Sequence, residues 1–363
     1  MNSLKRMNPV RRHLRTMAAV AVTAVSLWTA PNASASKLGD IAEAMQAGDW
    51  RELPADFLPS ADGFWRHPAG SENITAYANR GEWDPIRRKM AFIGCGYGPA
   101  KLVIYDEATD SWTSNEVPSS FANIIHIWDH SGFDQARGIL YAQNHLGSSV
   151  FQLNLATMAW SALPALPTTG ETRGVTYFPE IDSLVTVDPV HKTIYALKSG
   201  AAAWTTLNSN IYETNYHPVA EHDRVRGVVY FGGGNNAPRA FFRLNRDGSV
   251  DTLASPPIDI DLGSGGGDTV TDPVSGRPII RLHNASRMAE YIPEKDAWAT
   301  VSTSIPSALT GTSYSFAVPI STYGVIMYVA VREGTPAVWL YKHKQSTTPA
   351  DPPPAAPAGL RIR

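Results

Sequence analysis

The chain has 363 residues, of which 18% are charged and 43% are hydrophobic, and its formal net charge at pH 7 is −2. This charge provides no basic excess to displace counterions from a phosphate backbone, which argues against a nucleic-acid partner. The single cysteine, Cys95, excludes an internal disulfide and a cysteine-based zinc cluster.

The first predicted element is an export signal over residues 1–35. Basic side chains precede an apolar run over Met17–Leu27, and Ala33-Ser-Ala35 then supplies a small-x-small cleavage site. The run is too short to remain in a bilayer as a spanning helix. We therefore expect a secreted or periplasmic protein without a membrane span. Arg11-Arg12 leaves a twin-arginine signal as the alternative to a plain secretory signal.

The second predicted element is a short helix in an N-terminal segment over residues 36–62. The stretch "DIAEAMQAGDW" places Ile41, Ala44 and Met45 at helical spacing. We expect this helix to pack on the outside of the domain that follows.

Residues 63–345 contain six similar units, marked by a tryptophan after a polar turn. Trp112, Trp160, Trp204 and Trp298 occupy this position, with Leu253 in the equivalent place, at steps of 48, 44, 49 and 45 residues. A period in the forties with four strand-like runs per unit is typical of a β-propeller blade. The sequence therefore predicts an all-β fold, a six-bladed β-propeller, with seven blades as the alternative.

The sixth unit has fewer turn signals than the others, so we expect an N-terminal strand to complete its sheet. The stretch "DGFWRHPAG" (Asp62–Gly70) is the predicted strand. After the propeller, residues 346–363 form a Pro-rich tail whose end resembles the start of a fibronectin type III domain. A disordered tail is the alternative.

Two stretches, "WDPIRRKMAFIGCGYG…KLVIYDEATDSW" and "GVVYFGGGNN…FFRLNRDG", resemble kelch-type repeats of the galactose-oxidase-like propeller family. The match is a hydrophobic strand that enters a Gly-rich loop, then an aromatic-Asp pair and a Trp about seven residues later. The resemblance covers roughly residues 75–345 and implies a kelch-like β-propeller. It says little about function, because such propellers include oxidases, lyases, isomerases and binding modules.

Aligning the six units places a set of polar and aromatic side chains on one rim of the ring. A core would not select these residue types, whereas a polar pocket would. The candidate substrate-binding residues are Arg80, Tyr97, His126, Trp128, His217, Asn236, Arg239, His283 and Arg287. The candidate catalytic residues are His130, His145, Arg173 and Tyr314.

Histidine and tyrosine can act as base and acid, and arginine can neutralise a carboxylate. These are the requirements of β-elimination on a uronic-acid polysaccharide. The stretch "WDHSGFDQARGILYAQNH" is similar to the His-bearing inner strand and following His loop of exported propeller lyases. This resemblance implies that His130 and His145 act as base or carboxylate partner, Arg173 as neutraliser and Tyr314 as acid. No cofactor or metal is required.

Two alternatives remain open. A non-catalytic propeller could bind a glycan or a protein through the same rim, with Tyr97, Trp128 and Tyr314 as stacking platforms. A copper radical oxidase is the minor alternative, because Cys95 lies in "GCGYG" on the same face, but no adjacent His pair stands near the end of the chain. We expect a monomer whose partner is a polysaccharide or other glycan.

Overall fold

The computed structural model describes residues 36–59, 63–66, 73–94, 100–121, 128–144, 147–170, 173–260, 267–282, 286–310, 315–332 and 335–344. The predicted signal (1–35) and the predicted tail (346–363) lie outside these residues. Within them, no helix is both long enough and apolar enough to cross a membrane.

The N-terminal helix α1 spans Lys37–Glu43, a few residues earlier than the apolar spacing predicted. The Ser36 hydroxyl accepts a hydrogen bond from the backbone N–H of Gly39 (2.9 Å) and so caps the helix. Leu38, Ala42 and Met45 are fully buried, whereas Ala44 is exposed. The helix therefore packs on the domain through a face shifted from the predicted one.

The rest of the described chain forms six four-stranded antiparallel sheets, which are the six blades. Blade 1 contains β2 (Glu82–Asp84), β3 (Lys89–Gly94), β4 (Lys101–Asp106) and β5 (Ser111–Glu116). Blade 2 contains β6 (Ser131–Asp134), β7 (Ile139–Gln143), β8 (Val150–Asn154) and β9 (Ala159–Ala162). Blade 3 contains β10 (Gly174–Phe178), β11 (Ser183–Asp188), β12 (Thr193–Lys198) and β13 (Thr205–Asn208).

The remaining blades follow the same order. Blade 4 contains β14 (Val219–Asp223), β15 (Val228–Gly232), β16 (Phe241–Leu244) and β17 (Val250–Thr252). Blade 5 contains β18 (Gly267–Thr271), β19 (Pro278–Leu282), β20 (Met288–Ile292) and β21 (Ala297–Thr300). Blade 6 contains β22 (Ser315–Ile320), β23 (Val325–Arg332), β24 (Thr335–Tyr341) and β1 (Trp50–Glu52).

Blade 6 closes the ring with a strand from the N-terminal part of the chain. Trp50 pairs with Tyr341, and Glu52 pairs with Trp339, so β1 is the outermost strand of this sheet. The sequence predicted Asp62–Gly70 for this role, which is wrong. Residues 63–66 contribute only an isolated bridge between Arg66 and Asn73, and the remainder of that stretch lies outside the described residues.

The inner strands β2, β6, β10, β14, β18 and β22 each contact the next strand in this order, and β22 contacts β2. This closed order confirms the six-bladed β-propeller. The tryptophan marker lies on or beside the outermost strand of its blade, in β5, β9 and β21 and just before β13.

The turn after each inner strand ends on a residue in the left-handed region of backbone conformation. The six residues are Arg88, Gly138, Asp182, Gly227, Gly276 and Gly324. Five of them lie four residues after the last residue of the inner strand, and Gly276 lies five residues after Thr271. Glycine adopts this conformation at little cost. This end of the blades is called the turn end, and the opposite end, where the inner strands begin, is called the entry face.

Candidate functional site

The axis of the ring at the entry face is filled by one arginine and three carboxylates. Arg80 precedes β2, and its Nε lies 2.9 Å from Glu82, while its Nη1 lies 3.8 Å from Asp129 and 3.7 Å from Glu221. Nη1 also donates to the carbonyl of Ala220 (2.8 Å) in blade 4. Arg80 of blade 1 therefore reaches across the axis, and these four residues are called the axial cluster.

Burial dominates the electrostatics of the axial cluster. It raises the pKa of Asp129 to about 6, against the opposing effect of the Arg80 charge. Burial also raises the pKa of Glu82 and Glu221, again opposed by Arg80. The predicted substrate-binding residue Arg80 is thus tied into a buried network whose other members the sequence did not single out.

Three rings meet beside the axial cluster on the entry face. The centroids of Trp128 and His217 are 4.2 Å apart with the rings nearly perpendicular, and Tyr77 lies edge-on to Trp128 at 5.2 Å. Trp128 precedes β6 and His217 precedes β14, so blades that are not neighbours supply these rings. Two of the predicted substrate-binding residues are therefore in direct contact.

Asn235 and Tyr216 extend the cluster of three rings toward solvent. The Nδ1 atom of His217 lies 3.0 Å from Oδ1 of Asn235, which is exposed, and Tyr216 packs on His217 with centroids 5.1 Å apart. The predicted residue Asn236, also exposed, accepts a hydrogen bond from the backbone N–H of Asn215 (3.0 Å). Tyr77, Trp128, Tyr216, His217 and Asn235 are called the rim patch.

Three residues of this region have positive φ although they are not glycine: Tyr77 (57°), Asp129 (48°) and His217 (59°). Such conformations are uncommon for these residue types and persist only where the surrounding structure imposes them. Strained backbone of this kind clusters at functional sites in proteins generally. The three positive φ angles therefore mark the axial cluster and the rim patch as a candidate ligand site.

His130 has no exposed surface and lies at the start of the inner hairpin of blade 2. Its carbonyl accepts a hydrogen bond from the backbone N–H of Gln143 (2.9 Å). The end of β7, which leads toward the predicted residue His145, therefore lies beside His130.

Arg173 is fully buried and its guanidinium is engaged in internal contacts. Its Nε donates to Asp188 (2.8 Å), Nη1 donates to the carbonyl of Gly147 (2.9 Å), and Nη2 donates to the carbonyl of Thr168 (3.0 Å). To neutralise a substrate carboxylate, as the sequence predicted, this side chain would have to leave these partners.

The other predicted residues are dispersed or not described. Arg239 is exposed and forms an ion pair with Asp259 (2.7 Å), and Arg287 is exposed. Tyr97, His126, His145, His283 and Tyr314 lie outside the described residues, as does Cys95. Within the part of the chain that the structure describes, no group of three or more His, Cys, Asp or Glu side chains is placed to hold a metal ion.

Sequence reasoning missed Asp129, Glu82, Glu221 and Tyr77. Asp129 stands between two residues that the sequence did select, in "WDH", so its neighbours were a usable signal. Glu82 and Glu221 hold the same position in blades 1 and 4, two residues before the aspartate that ends each inner strand. An alignment on those aspartates would have paired them.

Comparison with known proteins identifies the fold and no family. No family model matches the chain, and no curated protein matches it. Among solved structures, 813 chains are similar. A protein of unknown function from Bacteroides thetaiotaomicron VPI-5482 has a TM-score of 0.52 at 11% identity, covering 82% of this chain and 72% of that chain. A streptogramin B lyase structure has a TM-score of 0.46 at 10% identity, covering 70% of this chain and 76% of that chain.

At such identities the likeness concerns the fold alone. So many similar solved chains indicate a widespread architecture, which hosts unrelated functions. The chain is a β-propeller, and its function has to be argued from its own entry face.

Proposed function

We propose that the chain is an exported, kelch-type, carbohydrate-active propeller that binds a glycan on its entry face. The observation that carries the proposal is the contact of Trp128, His217 and Tyr77 beside exposed Asn235. Trp128 and His217 are buried and support the half-buried rings of Tyr77 and Tyr216, which offer an apolar surface to a sugar, while the exposed Asn235 amide can hydrogen-bond its hydroxyls. Glycan recognition therefore needs residue types that the rim patch brings together.

The test of glycan binding uses two variants at the solvent side of the rim patch. Tyr216→Ala and Asn235→Ala should each weaken binding by about tenfold, the equivalent of ~1.4 kcal/mol, as measured by calorimetry with neutral and acidic oligosaccharides. Asn115→Ala, at an exposed asparagine on the outer strand β5, is the matched control and should bind as the parent does. No binding to any glycan, or unchanged binding by both rim variants, would contradict the proposal.

Export is supported by the order of basic residues, apolar run and Ala33-Ser-Ala35 at the N-terminus. Fractionation of cells that produce the full chain should place the protein in the periplasm or the medium. N-terminal sequencing should read Ser36-Lys37-Leu38. Recovery of the uncleaved chain from the cytoplasm would refute export.

A polysaccharide lyase is the second candidate function. Its support is the hydrogen bond from Gln143 to the His130 carbonyl, which draws the chain segment ahead of His145 toward His130. One histidine could then remove the proton next to the uronate carboxylate while the other side chain binds that carboxylate. The axial cluster is compatible with this, because its carboxylates are buried rather than facing the substrate.

The lyase candidate is tested by the ultraviolet absorbance of unsaturated uronates during incubation with a panel of acidic polysaccharides. Absorbance should rise with at least one substrate and should be lost in His145→Ala and His130→Ala. Thermal melts of both variants control for misfolding, since His130 is buried. Full activity in both variants would exclude this pair, and binding without product would leave the glycan-binding function alone.

A further inference from the structure

A histidine–aspartate pair lies on the entry face of blade 3, in the turn between β11 and β12. The Nδ1 atom of His191 is 3.1 Å from Oδ1 and 3.0 Å from Oδ2 of Asp188. The backbone N–H of His191 donates to the same carboxylate (3.1 Å). The Asp188 side chain is buried, at 1% exposure, whereas the His191 side chain is 38% exposed.

The buried carboxylate is held from the other side by two further groups. Nε of Arg173 donates to Oδ2 of Asp188 (2.8 Å), and the Thr168 hydroxyl donates to the same oxygen (2.7 Å). Burial alone would raise the pKa of Asp188, but the Arg173 charge and the Thr168 hydrogen bond hold it below its usual value. Asp188 is therefore an ionised carboxylate in a fixed orientation.

This arrangement determines which nitrogen of His191 can take a proton. A carboxylate at Nδ1 requires that Nδ1 carry the hydrogen, which leaves the lone pair on Nε2. The same carboxylate stabilises the imidazolium that forms when Nε2 accepts a proton. A partly exposed imidazole backed by a buried, anchored carboxylate is suited to general base catalysis.

The surroundings of the pair connect it with the entry face. Gly170, in the connection from blade 2 to blade 3, passes close enough that an added Cβ would lie 3.4 Å from Cε1 of His191. Nη1 of Arg173 donates to the carbonyl of Gly147, in the loop between β7 and β8 of blade 2. The pair thus lies at the junction of blades 2 and 3, on the face that carries Trp128 and His217.

The same type of turn recurs in the fold with a different side chain. Asp84, Asp134 and Asp223 each accept a hydrogen bond from the backbone N–H three residues later, and an arginine stands at that position. Those three turns lie at the turn end, and arginine cannot exchange a proton in the physiological range. In blade 3 the corresponding residue is His191, whose ring can exchange a proton, and its turn lies on the entry face.

We propose that His191 is a catalytic general base, with Asp188, Arg173 and Thr168 as positioning residues. The inference rests on the lyase candidate, and it assigns the base to His191, which leaves to His130 and His145 the role of partners of the uronate carboxylate. Nε2 of His191 removes the proton from the carbon next to the uronate carboxylate, and the electron pair of that C–H bond forms the C=C bond. The C–O bond to the neighbouring sugar breaks, and its oxygen takes a proton from a general acid or from water. His191 then returns its proton to solvent, so no oxidant or other co-reactant is needed.

The test is the absorbance assay with the full chain and the polysaccharide panel. His191→Asn retains an amide near the Nδ1 position, so the turn is preserved while Nε2 is lost. We expect kcat to fall by about 100-fold or more with little change in KM. Asp188→Asn should also lower kcat by about tenfold or more with little change in KM, because Nδ1 loses its anionic partner. His222→Asn is the matched control, since His222 forms a second histidine–carboxylate pair with Glu180 (3.0 Å) and should leave the activity unchanged.

Chemical modification of the parent protein tests the role of His191 even if the variants fail to fold. Treatment of the parent protein with diethyl pyrocarbonate should inactivate it in step with modification of His191, measured by peptide mass spectrometry, and substrate should protect both. Activity that persists with His191 modified, or a fully active His191→Asn variant, overturns the role of His191 and leaves the lyase intact. Absence of product with every polysaccharide overturns the lyase candidate and this inference with it.

Discussion

Asp129 connects four blades through a single residue. Its carboxylate accepts hydrogen bonds from the Asn79 amide (3.1 Å) ahead of blade 1 and from the Ala220 backbone N–H (3.1 Å) in blade 4. Its carbonyl accepts from Val175 (2.7 Å) in blade 3, while the chain itself continues into blade 2. These contacts hold a buried carboxylate with positive φ at the centre of the ring.

The titration of Asp129 follows from its burial. Its pKa is raised to about 6, so between about pH 4 and pH 6 the folded state binds more protons than the unfolded state. The stabilising contribution is therefore fully present at low pH and is lost as the pH rises through 6, by about 3 kcal/mol. The carboxyl carbon of Asp129 should titrate near pH 6 by NMR, and the free energy of unfolding should fall over the same range. A midpoint near 4 would contradict the burial argument.

At the scale of strands, the close approach of the inner strands depends on glycine. A Cβ added to Gly132 in β6 would lie 2.8 Å from the backbone nitrogen of Tyr177 in β10. A Cβ added to Gly174 in β10 would lie 2.9 Å from the Cβ of Ala220 in β14. Because backbone atoms cannot rotate away as a side chain can, the contact at Gly132 leaves no room for a larger residue.

Gly132→Ala should therefore destabilise the propeller. The expected loss is about 1–3 kcal/mol, the usual cost of overpacking, as measured by chemical denaturation. Gly147→Ala is the control, because the nearest atom to its added Cβ is the side-chain amide nitrogen of Asn144 at 3.4 Å, which can move. Equal stability of the two variants would show that β6 and β10 can separate without cost.

The repeat of four strands was predictable because each blade carries its own local signals. A tryptophan on or beside an outer strand and a polar turn before it recur in sequence at a nearly constant spacing. The closing strand was not predictable in the same way, because β1 pairs with β24 across almost the whole chain. Nothing local in Trp50–Glu52 records that partner, whereas Asp62–Gly70 has stronger local signals and no strand in its described part.

The candidate site was predictable only in part. Trp128 and His217 were found because they precede inner strands in comparable positions. The sequence could not show that the Arg173 guanidinium is hydrogen-bonded to Asp188, because Asp188 ends β11, 15 residues later. The axial carboxylates could not be predicted either, since a Glu on a strand is expected to face solvent. Here ring closure buries it.

At the scale of the whole molecule, side-chain contacts at the turn end join successive blades. Arg137 of blade 2 pairs with Asp182 of blade 3 (2.7 Å), and Glu180 of blade 3 pairs with His222 of blade 4. Glu290 of blade 5 meets His343, which follows β24 of blade 6, at 2.9 Å. The Arg137 pair is exposed and contributes little, the Glu180 pair is partly buried, and the Glu290 and His343 pair is buried and should matter most.

The pair of Glu290 and His343 should make the junction of blades 5 and 6 sensitive to acid. Burial alone would raise the pKa of Glu290, but hydrogen bonds from His343 and Arg277 lower it to about 2. The stabilisation is therefore fully present above about pH 4.5 and is lost as the pH falls toward 2, by at most about 2 kcal/mol after screening by solvent. Glu290→Gln should lower the free energy of unfolding at pH 6, and this loss should become smaller at pH 3 and nearly vanish at pH 2, as measured by urea denaturation. Glu213→Gln, which removes an exposed partner of Lys192, is the control and should change stability little at either pH. A Glu290→Gln variant as stable as the parent at pH 6 would mean that apolar packing alone holds blades 5 and 6 together.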